Sequence, residues 1–246
     1  MNIKIAALLL LALCAQPAWS QATSTAAPAT EPAALSTRLA LRDLWVEHVF
    51  WVRNYAMANQ AGNKAQADIA AKQVVSNATT IANSLAPLYG QPAADQMFKL
   101  LGGHWGAVKH YSDATVAKDK AGQQAAVNEL LANAKAIAAF LSKANPYLPE
   151  QTLITLLSAH GGHHIAQIDQ LAKADYAGEA QTWQMMREHM LVLADALAGA
   201  LVKQFPDKFS ALYEKCLRDD HAALKTGSEC SLTTSQLRFL ACFRLA

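Results

Sequence analysis

Charge is scarce in this chain of 246 residues: 16% are Asp, Glu, Lys or Arg, and the formal net charge is +2. No basic patch stands out, which disfavours nucleic acid as a partner. Also missing are G-x-S-x-G, a Walker loop and the Rossmann glycine fingerprint, the commonest sequence marks of hydrolases, nucleotide-phosphate enzymes and dinucleotide oxidoreductases. The paired E-x-x-H motifs of di-iron bundles are absent. Without C-x-x-C-H, covalent c-type haem attachment is excluded. The sequence therefore leans away from an enzyme.

Long uncharged runs are lacking as well. The most apolar segment, residues 5–15, has a core of about ten residues where a bilayer-spanning helix needs roughly 20. Preceded by Lys4 and followed by Ala18-Trp19-Ser20 or Ser20-Gln21-Ala22 as a small-residue cleavage site, it reads as a signal peptide over residues 1–20. The expectation is a periplasmic or secreted protein that does not span the membrane. Leu11-Ala12-Leu13-Cys14 is similar to a lipoprotein box, but bulky Leu13 stands where such boxes place a small residue.

Cysteine is rare too. Beyond the signal, only Cys216, Cys230 and Cys242 remain, so no disulfide holds the main body together. They fall in residues 207–246, a tail that reads as a disulfide-closed cap or the product of a shifted reading frame. Residues 21–36, rich in Ala, Thr and Pro without an apolar period, read as a disordered tether.

What fills residues 37–206 is helix. Leu41, Leu44, His48, Trp51 or Val52, and Tyr55 recur at spacings of three and four. Residues 69–85, 91–118, 121–142, 150–174 and 178–205 behave alike, and no β-type alternation competes. Pro87 with Gly90 and Pro92, Gly122, Pro146 with Pro149, and Gly178 supply the breaks. Short links imply antiparallel neighbours, hence an all-α, six-helix bundle.

An internal repeat refines this expectation. Ala78-Thr-Thr-Ile81-Ala82-Asn-Ser-Leu85 matches Ala134-Lys-Ala-Ile137-Ala138-Ala-Phe-Leu141, and again Ala194-Asp-Ala-Leu197-Ala198-Gly-Ala-Leu201. The preceding helices carry His48, His104 and His160, each 56 residues after the last. Three tandem α-hairpins of about 56 residues are expected, the third with a four-residue insertion before its Ala-x-x-Leu-Ala element. If the first helices lie innermost around a pseudo-threefold axis, the three imidazoles converge.

Three converging histidines are a standard way to hold zinc, and imidazole also suits copper. His164 follows His160 at the i, i+4 spacing by which one helix chelates an ion. His189 shares a helix face with Met186 and Met190, whose thioethers would favour copper, though core methionines are also common gap fillers. The candidate metal ligands are thus His48, His104, His160, His164 and His189. The competing reading is a non-enzymatic interaction or scaffold bundle whose buried histidines only fix packing.

Glycine is unfavourable inside a helix, yet Gly102-Gly103 precedes His104 and Gly161-Gly162 precedes His163. Such pairs admit either a close helix crossing or a flat ligand, which makes b-type haem a further cofactor hypothesis.

The stretch LWVEHVFWVRNY, the later histidine helices and the ending LVKQFP resemble a group of small exported bacterial helical-bundle proteins of uncharacterised activity. The resemblance covers about residues 38–206. It implies the helical architecture and the repeated histidines, and carries over no activity or ligand.

Overall fold

The three-and-four spacing of apolar residues becomes helix in a computed structural model, which describes residues 33–209. Two long helices, α1 (Ala33–Gln60) and α2 (Lys64–Asn83), are followed by a single turn, α3 (Ala86–Tyr89). Four long helices complete the bundle: α4 (Gln91–Val116), α5 (Lys120–Ala144), α6 (Glu150–Ala172) and α7 (Tyr176–Gln204). A 3₁₀ turn, Pro206–Phe209, ends the described chain. No strand occurs among the described residues, and none of their helices is long and apolar enough to cross a membrane. The expected signal peptide and the three tail cysteines lie outside these residues.

Several boundaries differ from the sequence expectation, α2 for instance starting at Lys64 where the apolar period pointed to residue 69. Helix α1 begins at Ala33, inside the stretch read as tether, because Ala33, Ala34 and Leu35 are strong helix formers despite the missing apolar period. The Pro87–Gly90 break holds a turn of helix, since proline is tolerated near a helix start and Gly90 closes the turn at φ 85°.

Local chemistry explains why each long pair turns where it does. Helices α1, α4 and α6 end at Gln60, Val116 and Ala172, each 56 residues after the last. Gly62, Lys118 and Ala174 then adopt left-handed φ values of 69°, 57° and 56°. Asn63, Asp119 and Asp175 follow as N-caps, their side chains accepting from the backbone N–H of Gln66, Gly122 and Gly178. Only the first of these turns uses glycine at the left-handed position, so the other two hold an L side chain in a costly conformation.

Helix α1 packs on α2, α4 on α5 and α6 on α7, while α1, α4 and α6 also touch one another. Each outer helix meets the next inner one: α2 lies against α4, α5 against α6, and α7 returns to α1. The α7–α1 seam is ionic. Arg38 and Arg42 both grip Asp195, holding its carboxyl well below the usual range, and Arg53 forks onto the buried Glu179. Glu179 also accepts from Gln167 Nε2 at 2.8 Å. A buried carboxylate needs both partners, because an unpaired one would carry an uncompensated desolvation cost.

The core forms two apolar clusters. One gathers Trp45, Val49, Leu101, Leu157, Met186 and Met190, and the other gathers Val52, Tyr55, Trp105, Val108, Tyr111 and Ile168. Along α1, α4 and α6, the histidines sit where the first cluster gives way to the second. A polar layer is therefore enclosed by apolar packing on both sides.

The helical glycines separate into different cases. An added Cβ at Gly103 would meet Asn133 Nδ2 at 2.9 Å, so that residue is small because a neighbour approaches. At Gly102 and Gly162, both exposed, the same atom meets nothing within 4 Å. Close helix crossing accounts for neither. Gly102→Ala and Gly162→Ala should each raise stability by about 0.5–1 kcal/mol, read as a higher urea midpoint at unchanged m-value.

Candidate metal centre

His48 on α1, His104 on α4, and His160 with His164 on α6 meet in this polar layer. Their fractional exposures are 1%, 6%, 2% and 2%. Each offers one ring nitrogen such that all four nitrogens lie within 4.8 Å of one another. Ring centroids are 4.5 Å apart for His160–His164, 5.1 Å for His104–His160 and 6.1 Å for His48–His104. The Nε2 atoms of His160 and His164 are separated by 3.2 Å. That matches the edge of about 3.3 Å that a tetrahedral ion with metal–nitrogen bonds near 2.0–2.1 Å sets between two ligands. One edge of such a site is already formed, and modest side-chain rotations would close the others.

The donors are poorly satisfied by protein. Neither ring nitrogen of His48 has a hydrogen-bond partner, nor has His104 Nε2 or His160 Nδ1, and all are buried. Asn77 lies near His48 but spends its amide N–H groups on Leu44 O and Glu47 Oε2, while its Oδ1 is itself buried and unpartnered. Burial pushes His48 down to about 4. His104 falls to about 3 through burial and the proximity of His48. Burial, followed by the neighbouring imidazoles, holds His160 and His164 well below the ordinary histidine value. All four are therefore neutral at pH 7, the form in which imidazole binds metals.

Of the five histidines proposed from sequence, the structure gathers four. His189 lies outside the group: its Nε2 donates to Leu156 O at 2.8 Å, and its ring stands 5.4 Å from that of His163. Met186 and Met190 are buried in the apolar cluster with Leu193 and Leu157.

Two features escaped sequence reading. Asn77 Nδ2 donates to Leu44 O, Asn133 Nδ2 to Leu100 O and His189 Nε2 to Leu156 O, three bonds at the same separation of 33 residues. Each carbonyl belongs to the residue four before His48, His104 or His160. Tyr55 Oη donates to Asp113 and Tyr111 Oη to Asp169, both 58 residues ahead. The residue 56 before Asp113 is Met57, and Gln167, which occupies the tyrosine place in α6, turns to Glu179 instead. These pairs tie each inner helix to the next and are invisible until the helices are placed.

No protein family, curated protein or solved structure matches this chain, so the histidine geometry alone carries the functional reading.

Proposed function

We propose that this protein binds one transition-metal ion, zinc or copper, through His48, His104, His160 and His164, and buffers or stores it in the cell envelope. The observation that carries the reading is a buried group of four imidazoles, each offering a nitrogen within 4.8 Å of the others, in which both nitrogens of His48, Nε2 of His104 and Nδ1 of His160 have no hydrogen-bond partner. If the histidines served packing alone, each such nitrogen would cost about 1–3 kcal/mol of unreturned desolvation. One ion takes a single nitrogen from each ring, so it relieves one of the two on His48 and leaves the other. Four protein ligands in a buried layer leave no open position for substrate, which favours holding an ion over hydrolytic chemistry.

Three tandem hairpins account for how the ligands meet. The reading is supported by the 56-residue steps in helix ends, left-handed turn residues and N-caps, and by the Asn77, Asn133 and His189 bonds. This register removes the need for an insertion in the third hairpin. Ala78, Ile81 and Ala82 then correspond to Ala134, Ile137 and Ala138 and to Met190, Leu193 and Ala194, all of them buried. The Ala194 similarity seen in sequence is one helical turn out of step. In the same register His164 takes the place of Val52 and Val108. The fourth ligand is thus an addition to a threefold frame. Export follows from the N-terminal segment and sets the proposed compartment.

Metal analysis of protein purified from the periplasm, with Zn²⁺ and Cu²⁺ titrations, tests this. One ion per chain is expected, and none in a triple His48, His104 and His160 to Ala variant. A metal-free wild type that also binds neither ion tightly would sink the proposal, and a Soret band would redirect it to haem.

A further inference from the structure

A fully enclosed metal site requires a route by which the ion arrives. We propose that His163 and His189 form a second, outer coordination site through which the ion passes into and out of the buried four-histidine centre. The inference rests on that centre binding metal.

His163 and His189 are only half-buried, whereas the four central histidines are enclosed. Their rings are 5.4 Å apart, and His163 adjoins His164 in the chain. Both offer lone pairs. The Leu156 carbonyl can only accept, so His189 Nε2 must carry the proton and Nδ1 is left as the basic nitrogen. His163 Nδ1 is buried without a partner.

Position 189 is informative because its structural duty is met without histidine elsewhere. Asn77 and Asn133 make the same bond to Leu44 O and Leu100 O. Histidine reproduces that bond and adds a metal-binding nitrogen that asparagine lacks. His163 likewise stands where the earlier hairpins have Trp51 and Ala107. Of the described imidazoles beyond the repeated three, His163, His164 and His189 belong to this hairpin, as expected of a single access point, and His110 stands apart with Glu129.

Gly161 and Gly162 fit the same picture. An added Cβ meets nothing within 4 Å at either, and Gly161 is buried, so room for a side chain is left unfilled next to His160 in the chain. The position equivalent to Gly161 in α1 is Val49, which is fully packed. Bare backbone here keeps the path clear.

Loading of the metal-free full-length protein with Co²⁺, followed by its visible absorption in stopped flow, tests the route. A chelator competition gives the equilibrium affinity. The variants are His189→Asn, which retains the hydrogen bond used at Asn77 and Asn133, and Gly161→Val, which alters no imidazole. Both should load and release Co²⁺ about tenfold or more slowly, with Kd within about twofold of wild type, because a shared path changes both rates equally. Unchanged rates in both variants, with wild type binding normally, would overturn the outer site alone. A changed Kd at unchanged loading rate would make His189 a positioning residue and overturn the route. Failure of wild type to take up any Co²⁺ would remove the buried centre and the route with it.

Discussion

Metal-free protein should lose its tertiary structure near pH 5, well above the range where carboxylate protonation unfolds ordinary domains. In the unfolded chain each of His48, His104, His160 and His164 titrates near 6.5, while burial holds His48 to about 4, His104 to about 3 and the other two well below 6.5. Below pH 6.5 the unfolded state binds protons that the folded state refuses, so stability is full above that value and falls as the pH drops. Each histidine contributes up to about 1.4 kcal/mol per pH unit, and four together approach about 5 kcal/mol per unit. A domain holding about 5–15 kcal/mol in total exhausts it within about one to three units, and one of about 8 kcal/mol near pH 5. The loss stops for His48 only near pH 4 and for His104 near pH 3, where the folded protein itself accepts the proton.

Near-UV circular dichroism against pH, with and without a chelator, measures this. Zinc should move the midpoint to lower pH, since an ion that binds only the folded state adds about 4 kcal/mol at a thousandfold excess over Kd. Metal-free protein that keeps its near-UV signal at pH 4 would mean that the histidines are hydrated or charged in the native state.

The part of this site that was legible in sequence is the part set by local spacing. His48, His104 and His160 announced themselves because a rare residue type recurred in phase with the helices, and His164 because i, i+4 fixes two side chains on one face. His189 shows the limit. Spacing puts it on one helix face with Met186 and Met190, yet the bond to Leu156 O depends on how α7 lies against α6, which no period within α7 encodes. The same holds for Tyr55 with Asp113 and for the Arg53–Glu179–Gln167 group, whose partners are far apart in sequence. The match for Ala134 in α7 is ambiguous in sequence for a related reason: Leu-Ala recurs one turn apart, at Leu193-Ala194 and Leu197-Ala198, so the pattern alone does not choose between Met190 and Ala194. The glycine pairs were visible, but only the backbone placement distinguishes a crowded Gly103 from an open Gly161.

His48→Leu should separate function from architecture by moving stability and metal affinity in opposite directions. His48 is 1% exposed, stands between Trp45 and the rings of His104, His160 and His164, and has two ring nitrogens without partners. Leucine is close to it in volume, so the swap adds little overpacking, while it removes two desolvated polar atoms whose burial costs about 1–3 kcal/mol apiece. Metal-free His48→Leu should therefore be more stable than wild type by at least about 2 kcal/mol at pH 7, and its acid midpoint should fall because one fewer histidine must stay neutral. Its affinity for Zn²⁺ or Cu²⁺ should drop by at least about a hundredfold, since even partners of metal ligands contribute about 10–100-fold. Urea melts of the metal-free proteins and competition titrations give the two numbers. A histidine kept only to specify packing would behave differently, losing stability on replacement with no change in metal affinity. Retention of an energetically unfavourable residue is what a binding site demands: the ion, absent from the folding balance of the bare chain, compensates for the ligands held ready for it.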